Sequence, residues 1–371
     1  MMNVALELQP CCGNRSGIGT YTYELARRLR DGDDITYSGT IFNCFGREHS
    51  EQSLEGIKLS VEQCRLFPYG VYRRIWHWVP IKYQQLFSPV DIRIFFDFIV
   101  PPRVDGKVMT TVHDLSFLRY PETIRQVNRR RIERDIQYSL DRSDKIITIS
   151  EFSKKELMEL MGVEAERIAL VSPAPACTAT DCGTADLSRF PLQSPYLLYV
   201  GTIEPRKNLV FLIKAFEYLK KETGCPHQLV LAGGKGWNNE KIYQAAQESP
   251  YQKEIVFTGY ISQAEKTALY QGASLFVFPS LYEGFGIPPL EAMGADCPVV
   301  CSDAASLPEV VGDAARLTSP TDMKGLAQAM AEVLFDPVQR ADLIARGRER
   351  SKVYTWEKSA KRLHELCKRL A

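Results

Sequence analysis

The chain has 371 residues, 45% of them hydrophobic and 25% charged, with a formal net charge of +1 at pH 7. That balance describes a globular protein without the field that would draw it to nucleic acid, and its length favours two domains of roughly 150–200 residues over one core. Ten cysteines (11, 12, 44, 64, 177, 182, 225, 297, 301 and 367) form no CxxC pair and no zinc spacing, which excludes a disulfide scaffold or zinc module and leaves buried, reduced thiols.

Along the chain, short β-branched or aromatic runs alternate with helical periods. "MMNVALEL" lacks the basic start and long apolar stretch of a signal peptide, and no run approaches the ~20 apolar residues of a membrane span, so a cytoplasmic protein is expected. "NVALEL", "DITYSGTIF", "IRIFF", "GKVMTTV", "DKIITIS" and "IALVS" predict strands in the first half. "YLLYV", "QLVLAG", "IVFTG", "LFVFPS", "PVVCS" and "ARLT" predict strands in the second. Helical periods fall at 18–30, 122–142, 151–161, 207–222, 262–271, 288–295 and 321–335. Strands this apolar, separated by helices, belong to parallel sheets covered on both faces. Two such series predict an α/β protein of two doubly wound, Rossmann-like domains.

The expected divisions are an N-terminal domain over 1–172, a linker over 173–195, a C-terminal domain over 196–350, and a last helix over 351–371 packing back toward the N-terminal domain. The linker is marked by Pro, Ala, Ser and Thr without periodicity in "SPAPACTATDCGTADLSRFPLQSP". The last helix is marked by Trp356, Leu363, Leu366 and Leu370 on one stripe. Open parallel sheets bind ligands beyond the carboxyl ends of their strands, so the loops there matter most.

In "SLYEGFGIPPLEAMGADCPVV", a strand-to-helix loop holds Gly284 and Gly286 between Glu283 and Glu291. The glycines admit a ligand close to the backbone, and the free amides of the following helix favour an anion such as phosphate. Glu291, read into the first helical turn, could serve the helix dipole or bind a vicinal diol such as ribose. A second loop, in "YLLYVGTIEPRKNLVF", carries Gly201, Thr202, Arg206 and Lys207. Adjacent cations are commonly a solvated face, but here they stand where a parallel sheet presents its ligand, with a planar fork and a point charge suited to phosphate. A third loop, "LVLAGGKGWNN", adds Gly233, Gly234, Lys235 and Gly236. Together they imply a nucleotide diphosphate in the C-terminal domain.

The combination of "GTIEPRKN", "SLYEGFGIPPLEAMGADCPVV" and "EVVGDAA" resembles the retaining glycosyltransferases of family 4, which have the two-Rossmann-domain GT-B architecture. "GNRSGIGTYTYELARRL" resembles the family's first glycine loop, and "VHDLSFLRYPE" the segment with its donor-facing histidine. The sequence departs from many relatives in having "VSPAPACTA" where they carry an Asn-Gly turn. The resemblance implies that Glu291 binds ribose hydroxyls and that Glu283 faces the donor sugar. Gly284, Phe285 and Gly286 would then present amides to sugar and phosphate, and Arg206 and Lys207 would hold the diphosphate near Gly201. It further implies that Gly17 and Gly19 let an N-terminal loop close over the donor and that His113 lies across a cleft near the sugar. On its own, His113 after "MTTV" reads first as a capped strand end.

Transfer of a hexosyl group builds negative charge on the leaving phosphate, which cations and main-chain dipoles stabilise. No carboxylate cluster for a divalent metal stands at a strand end, so a metal-independent enzyme is expected. The resemblance adds retention of configuration. The surroundings of "VHDLSFLRYPE" resemble bacterial mannosyltransferases of surface-polysaccharide assembly, which implies GDP-mannose as donor and a glycan or lipid-linked glycan acceptor. UDP-glucose and UDP-N-acetylglucosamine stay open as donors. A stretch mixing Tyr69, Tyr72, Arg73, Arg74, Trp76, Trp78 and Lys82 suits peripheral association with the inner membrane face, a carbohydrate platform, or an ordinary helix with its aromatics in the core. Four rivals fit less well. A dehydrogenase would want glycine where Thr22 stands. A glycosidase using Glu283 and Glu291 leaves the cations unexplained. A two-domain epimerase, or a binder without catalysis, shares the phosphate cradle.

Overall fold

The computed structural model describes residues 1–13, 17–46, 52–175 and 185–370. They form two compact units, one of Met1–Leu115, Gln126–Pro173 and Thr355–Ala371, the other of Ser116–Arg125 and Ala174–Tyr354. Residues 176–184 of the expected linker, with Cys177 and Cys182, lie outside the described residues.

The first unit is built on seven parallel strands: β1 (Met2–Glu7), β2 (Ile35–Phe42), β3 (Ser60–Cys64), β4 (Ile92–Phe95), β5 (Lys107–Val112), β6 (Lys145–Thr148) and β7 (Ile168–Leu170). Their order is β3-β2-β1-β4-β5-β6-β7. Val4, Ala5, Leu6, Ile92, Ile94, Val108 and Met109 are all buried, consecutive residues included. Helices therefore cover both faces, as the unbroken apolar runs require. The last helix, Trp356–Leu370, belongs to this unit. It buries Trp356, Leu363, Leu366 and Cys367, and sets Trp356 edge-on to Tyr21 at 6.0 Å. Arg28 meets Glu357 at 2.7 Å, and the Tyr37 hydroxyl meets His364 Nδ1 at 2.8 Å.

The aromatic stretch resolves largely into core. Tyr72, Trp76, Tyr83 and Phe87 are buried, and Tyr72 stacks on Phe42 at 4.8 Å. Trp78 alone of its tryptophans stays outside, 85% exposed. The basic helical period expected over 122–142 begins at Gln126; Pro121–Thr123 forms a separate 3-10 turn and Ile124 is extended. That turn is part of the second unit. Residues Ser116–Arg125, assigned by sequence to the N-terminal domain, pack there through a Tyr120–Tyr282 ring contact at 5.7 Å and a bond from the Trp237 indole to the Thr123 carbonyl.

The second unit holds β8 (Tyr196–Val200), β9 (Gln228–Ala232), β10 (Ile255–Gly259), β11 (Leu275–Phe278), β12 (Val299–Ser302) and β13 (Arg316–Thr318). All are parallel, in the order β10-β9-β8-β11-β12-β13. Both sheets thus reverse their strand order once, between β1 and β4 and between β8 and β11. In open α/β sheets a crevice opens at such a point, because the two adjoining crossovers leave on opposite faces. Among the described helices none is long and apolar enough to cross a membrane.

Candidate active site

The reversal point of the second unit gathers the loops after β8, β9 and β11. After β8, Gly201 has φ +155, and a Cβ there would meet the Tyr199 hydroxyl at 2.5 Å. A 3-10 turn over Pro205–Lys207 follows, and Asn208 at φ +59 leads into the helix Leu209–Thr223. The turn directs Arg206 and Lys207 at the loop after β11. Arg206 donates through Nη1 to the Tyr282 carbonyl at 2.6 Å and to Glu283 Oε2 at 3.2 Å, and through Nη2 to Glu204 Oε1 at 3.0 Å. Lys207 Nζ donates to Glu283 Oε1 at 2.5 Å. Lys207, Glu283 and Glu204 are all buried.

Two cations therefore face two carboxylates. Burial alone would raise the Glu283 pKa, but the charges of Lys207 and then Arg206 overcome it and hold the pKa below the usual value. The cations stay in place without a ligand because the protein supplies their counter-charges. An anion placed against this fork would meet donors whose orientation is already fixed, an arrangement that can stabilise developing charge at little reorganisation.

The loop between the glutamates is held from behind. Ser306 Oγ lies 2.9 and 2.7 Å from the carbonyl oxygens of Glu283 and Phe285, which share its one hydroxyl proton. The Phe285 ring packs edge-on against Tyr354 at 5.1 Å. Gly286 stands at φ +109 as the N-cap of the helix Ile287–Gly294, where a Cβ would meet Leu307 at 2.5 Å. Gly284 lies in the same buried loop. Pro288 occupies the helix's second position, where its missing N–H costs nothing.

One sequence reading is corrected here. Glu291 is the fifth residue of that helix, beyond its first turn, and is buried rather than aimed outward at the dipole's end. Lys266 Nζ donates to its Oε1 at 2.6 Å and the Tyr270 hydroxyl to its Oε2 at 3.2 Å. In the third glycine loop, Gly233 and Gly236 are also required by packing. A Cβ on Gly233 would meet the Gly201 carbonyl oxygen at 2.0 Å, and one on Gly236 the Ile203 oxygen at 2.7 Å. Ile203 pairs with Lys235 as a parallel bridge, so the loop braces the first one.

The remaining predicted residues belong to the first unit. Gly17 and Gly19 are not in a loop but inside the first turn of the helix Gly17–Ala26. His113 follows β5 and is buried. Its Nε2–H donates to the Phe96 carbonyl at 2.8 Å, and Tyr21 meets its ring edge-on at 5.1 Å. Burial lowers its pKa, only partly offset by that bond and by Asp97 and Asp114. The imidazole is thus neutral near pH 7, with its proton on Nε2.

Sequence reasoning missed Glu204, Lys266 and Tyr270. Glu204 lay inside the motif and was passed over for its cationic neighbours. Lys266 and Tyr270 are four apart on the helix Gln263–Gly272, so they share a face. Nothing in their spacing pointed to Glu291. Among the described residues no group of three or more His, Cys, Asp or Glu side chains comes together as a metal site.

Comparison with known proteins bears on this geometry. The family model "Glycosyl transferases group 1" matches residues 186–350, and "Glycosyltransferase Family 4" matches 15–174. The chain is 31% identical to O-antigen chain mannosyltransferase B of Escherichia coli, over 96% of this chain and 97% of that protein. It is 29% identical to the serotype-specific mannosyltransferase WbdA of the same species over 69% of this chain, spanning 33% of WbdA. Its fold matches sucrose-phosphate synthase of Thermosynechococcus elongatus with a TM-score of 0.73 at 20% identity, covering 100% of this chain and 99% of that one. It also matches HepE of Anabaena, solved with UDP and glucose, with a TM-score of 0.72 at 17% identity, covering 99% and 100%. The chain belongs to the family 4 glycosyltransferases, enzymes of glycosyl transfer with the two-domain GT-B fold, and is similar to bacterial O-antigen mannosyltransferases.

Proposed function

We propose that the chain transfers a mannosyl group from GDP-mannose, with retention of configuration and without a divalent metal, to a glycan or lipid-linked glycan in O-antigen or related surface-polysaccharide synthesis. The observation that carries the reading is the Arg206–Lys207 pair, fixed by Glu204 and Glu283 beside the N-terminus of the helix Ile287–Gly294. These groups supply charge where the diphosphate leaves. Glu291, held by Lys266 and Tyr270, keeps its carboxylate oriented for the ribose hydroxyls. The mannosyl donor and the polysaccharide setting rest on the likeness to the E. coli O-antigen enzyme. The His113 Nε2–H is taken by the Phe96 carbonyl and its own carbonyl by Ser153 Oγ, which leaves Nδ1 for a ligand. Peripheral contact with a membrane belongs to the same reading, through Trp78 and the exposed Arg74.

A thermal-shift screen of GDP, UDP and ADP sugars tests the donor, because a ligand that binds the folded state raises the melting temperature by mass action. GDP-mannose alone is expected to produce a shift. A selective response to a UDP sugar replaces the donor assignment. Loss of turnover on adding a chelator removes metal independence.

A further inference from the structure

The reversal point of the first unit has no role in the diphosphate chemistry, yet it carries an anomaly. Glu7, the last residue of β1, is 6% exposed, and among the described residues its buried Oε1 has no hydrogen-bond partner. Buried carboxyl oxygens in native proteins are almost always paired, and an orphan is a group waiting for a partner. Across the reversal, just past β4, stands a second carboxyl, Asp97, whose charge acts on Glu7. The charge of Arg73, from the helix Tyr69–Ile75, acts on both. The next residue, Phe98, has φ +30, a conformation that a bulky side chain rarely adopts, and it packs against His113 at 5.8 Å.

We propose that Glu7 and Asp97 form a hydroxyl-recognising subsite at the strand-order reversal of the first unit, taking a ring hydroxyl of the acceptor sugar. Three ligand classes compete, and the charges decide between them. An anion meets the charge of Asp97 and finds the nearby cations already engaged, Arg131 Nη2 with Asp97 Oδ2 at 3.4 Å and the Arg73 guanidinium over the Tyr69 ring at 5.3 Å. A metal cation finds two carboxyls, not three, and Arg73 opposes it. A sugar hydroxyl both donates and accepts, which matches a protonated carboxyl beside a charged one. Burial, then the charge of Asp97, pushes the Glu7 pKa up to about 8, against the Gln9 amide and Arg73. Burial likewise raises that of Asp97, against Arg73 and His113. The other titratable groups whose charge couples to Glu7 are Tyr69 and Tyr83 and the Cys12 thiol. All three are neutral when Glu7 titrates, because burial raises each of them.

The inference rests on the transferase reading only in naming the sugar as the acceptor's, so its test needs no turnover. Methyl α-D-mannopyranoside, methyl α-D-glucopyranoside and the methyl glycoside of N-acetylglucosamine are titrated against the full chain by saturation-transfer NMR, with GDP affinity measured separately by calorimetry. At least one glycoside is expected to bind. Glu7→Leu should weaken that binding by about tenfold or more while leaving GDP affinity unchanged. The same variant should raise Tm by a few degrees, because it removes an unpaired buried polar group. Glu7→Gln stays neutral at every pH and keeps a donor and an acceptor. Its glycoside affinity should persist at about pH 9, where the wild type loses affinity as Glu7 ionises. No binding of any of the three to the wild type overturns the subsite. So does a Glu7→Leu chain that binds as the wild type does, or a Glu7→Gln chain that loses affinity at alkaline pH in parallel with it. If Glu7→Leu does not fold, the alkaline comparison decides. A failure of GDP to bind counts against the donor reading and leaves the glycoside result standing.

Discussion

At the reversal between β8 and β11, Arg206 and Lys207 meet Glu204 and Glu283, and each charge has a partner within 3.2 Å. At the reversal between β1 and β4, Glu7 is as deeply buried but has an oxygen with no partner among the described residues. The topology is the same in both sheets and the chemistry is not. A parallel sheet dictates where a crevice opens, and the residues at the strand ends dictate what it takes. One crevice holds two cations already oriented by the protein's own carboxylates. The other keeps a carboxyl out of water, at a cost in stability.

The sharpest way to break this contrast is to remove a cation. Arg206→Ala or Lys207→Ala should lower turnover by roughly 10²–10³, about 3–4 kcal/mol, as for loss of one preorganised charge-stabilising donor. Lys207→Ala also leaves buried Glu283 with one cation instead of two, so its pKa should rise and the activity should gain a new acidic limb. Steady-state rates within a few-fold of the wild type in both variants would refute the diphosphate assignment.

A smaller effect is expected where the anchor stands one step from the ligand. Lys266→Met removes the ion pair that orients Glu291, and Glu291→Gln removes the charge itself. Each should weaken GDP binding by about 1.5–3 kcal/mol, the range for a hydrogen bond to a charged group. If Lys266 acts through Glu291, the two losses are non-additive in a double-mutant cycle followed by calorimetry. Additive losses would mean that Lys266 touches the nucleotide independently.

How much of this was legible beforehand follows from where the signal lay. The strands with unbroken apolar runs, such as "YLLYV" at Tyr196–Val200, could be placed from sequence because burial on both faces leaves nothing else for them to be. β3 was missed because "SVEQC" lies at the sheet edge, mostly half-buried, and carries Glu62 and Gln63. The loop glycines were legible as special but not in their use. Gly286 caps a helix, whereas Gly233 lets two loops touch, and both look alike in the sequence. Glu291 could be singled out, but its partners could not, since Lys266 comes to it through a tertiary contact across 25 residues. Glu7 carried no signal at all, because "NVALEL" reads as a strand with an ordinary charged end. Its burial is a product of β2 and β4 flanking β1.

Stability against pH separates Glu7 from His113 by sign. Glu7 rises from the ordinary 4.5 to about 8, so the folded protein holds a proton that the unfolded chain has lost. Its contribution to stability is full below pH 4.5 and falls as pH rises toward 8. His113 is lowered from 6.5, so its contribution is full above that pH and falls as pH drops through the lowered folded value. Calorimetric Tm profiles of Glu7→Gln and His113→Gln should each flatten one side of the wild-type curve, by about 3–6 °C at the extremes. If both flatten the same side, one of the two protonation states is misassigned.

The smallest expected effect concerns the first unit's outer surface. Burial of Tyr72, Trp76, Tyr83 and Phe87 takes most of the aromatic stretch out of contention for a membrane. What is left is Trp78 at 85% exposure and Leu66 at 71%, with exposed Arg65 and Arg74 near them in sequence. An indole beside cations suits the headgroup region, and each Arg near an anionic surface contributes about 1 kcal/mol. Trp78→Ser combined with Arg74→Ser should therefore reduce co-sedimentation with vesicles containing phosphatidylglycerol by about three- to tenfold at low salt, and leave turnover of a soluble glycan acceptor unchanged. If the wild type sediments equally with neutral vesicles, the cations play no part. If the double variant sediments as the wild type does, Trp78 is an isolated exposed aromatic with no part in membrane contact.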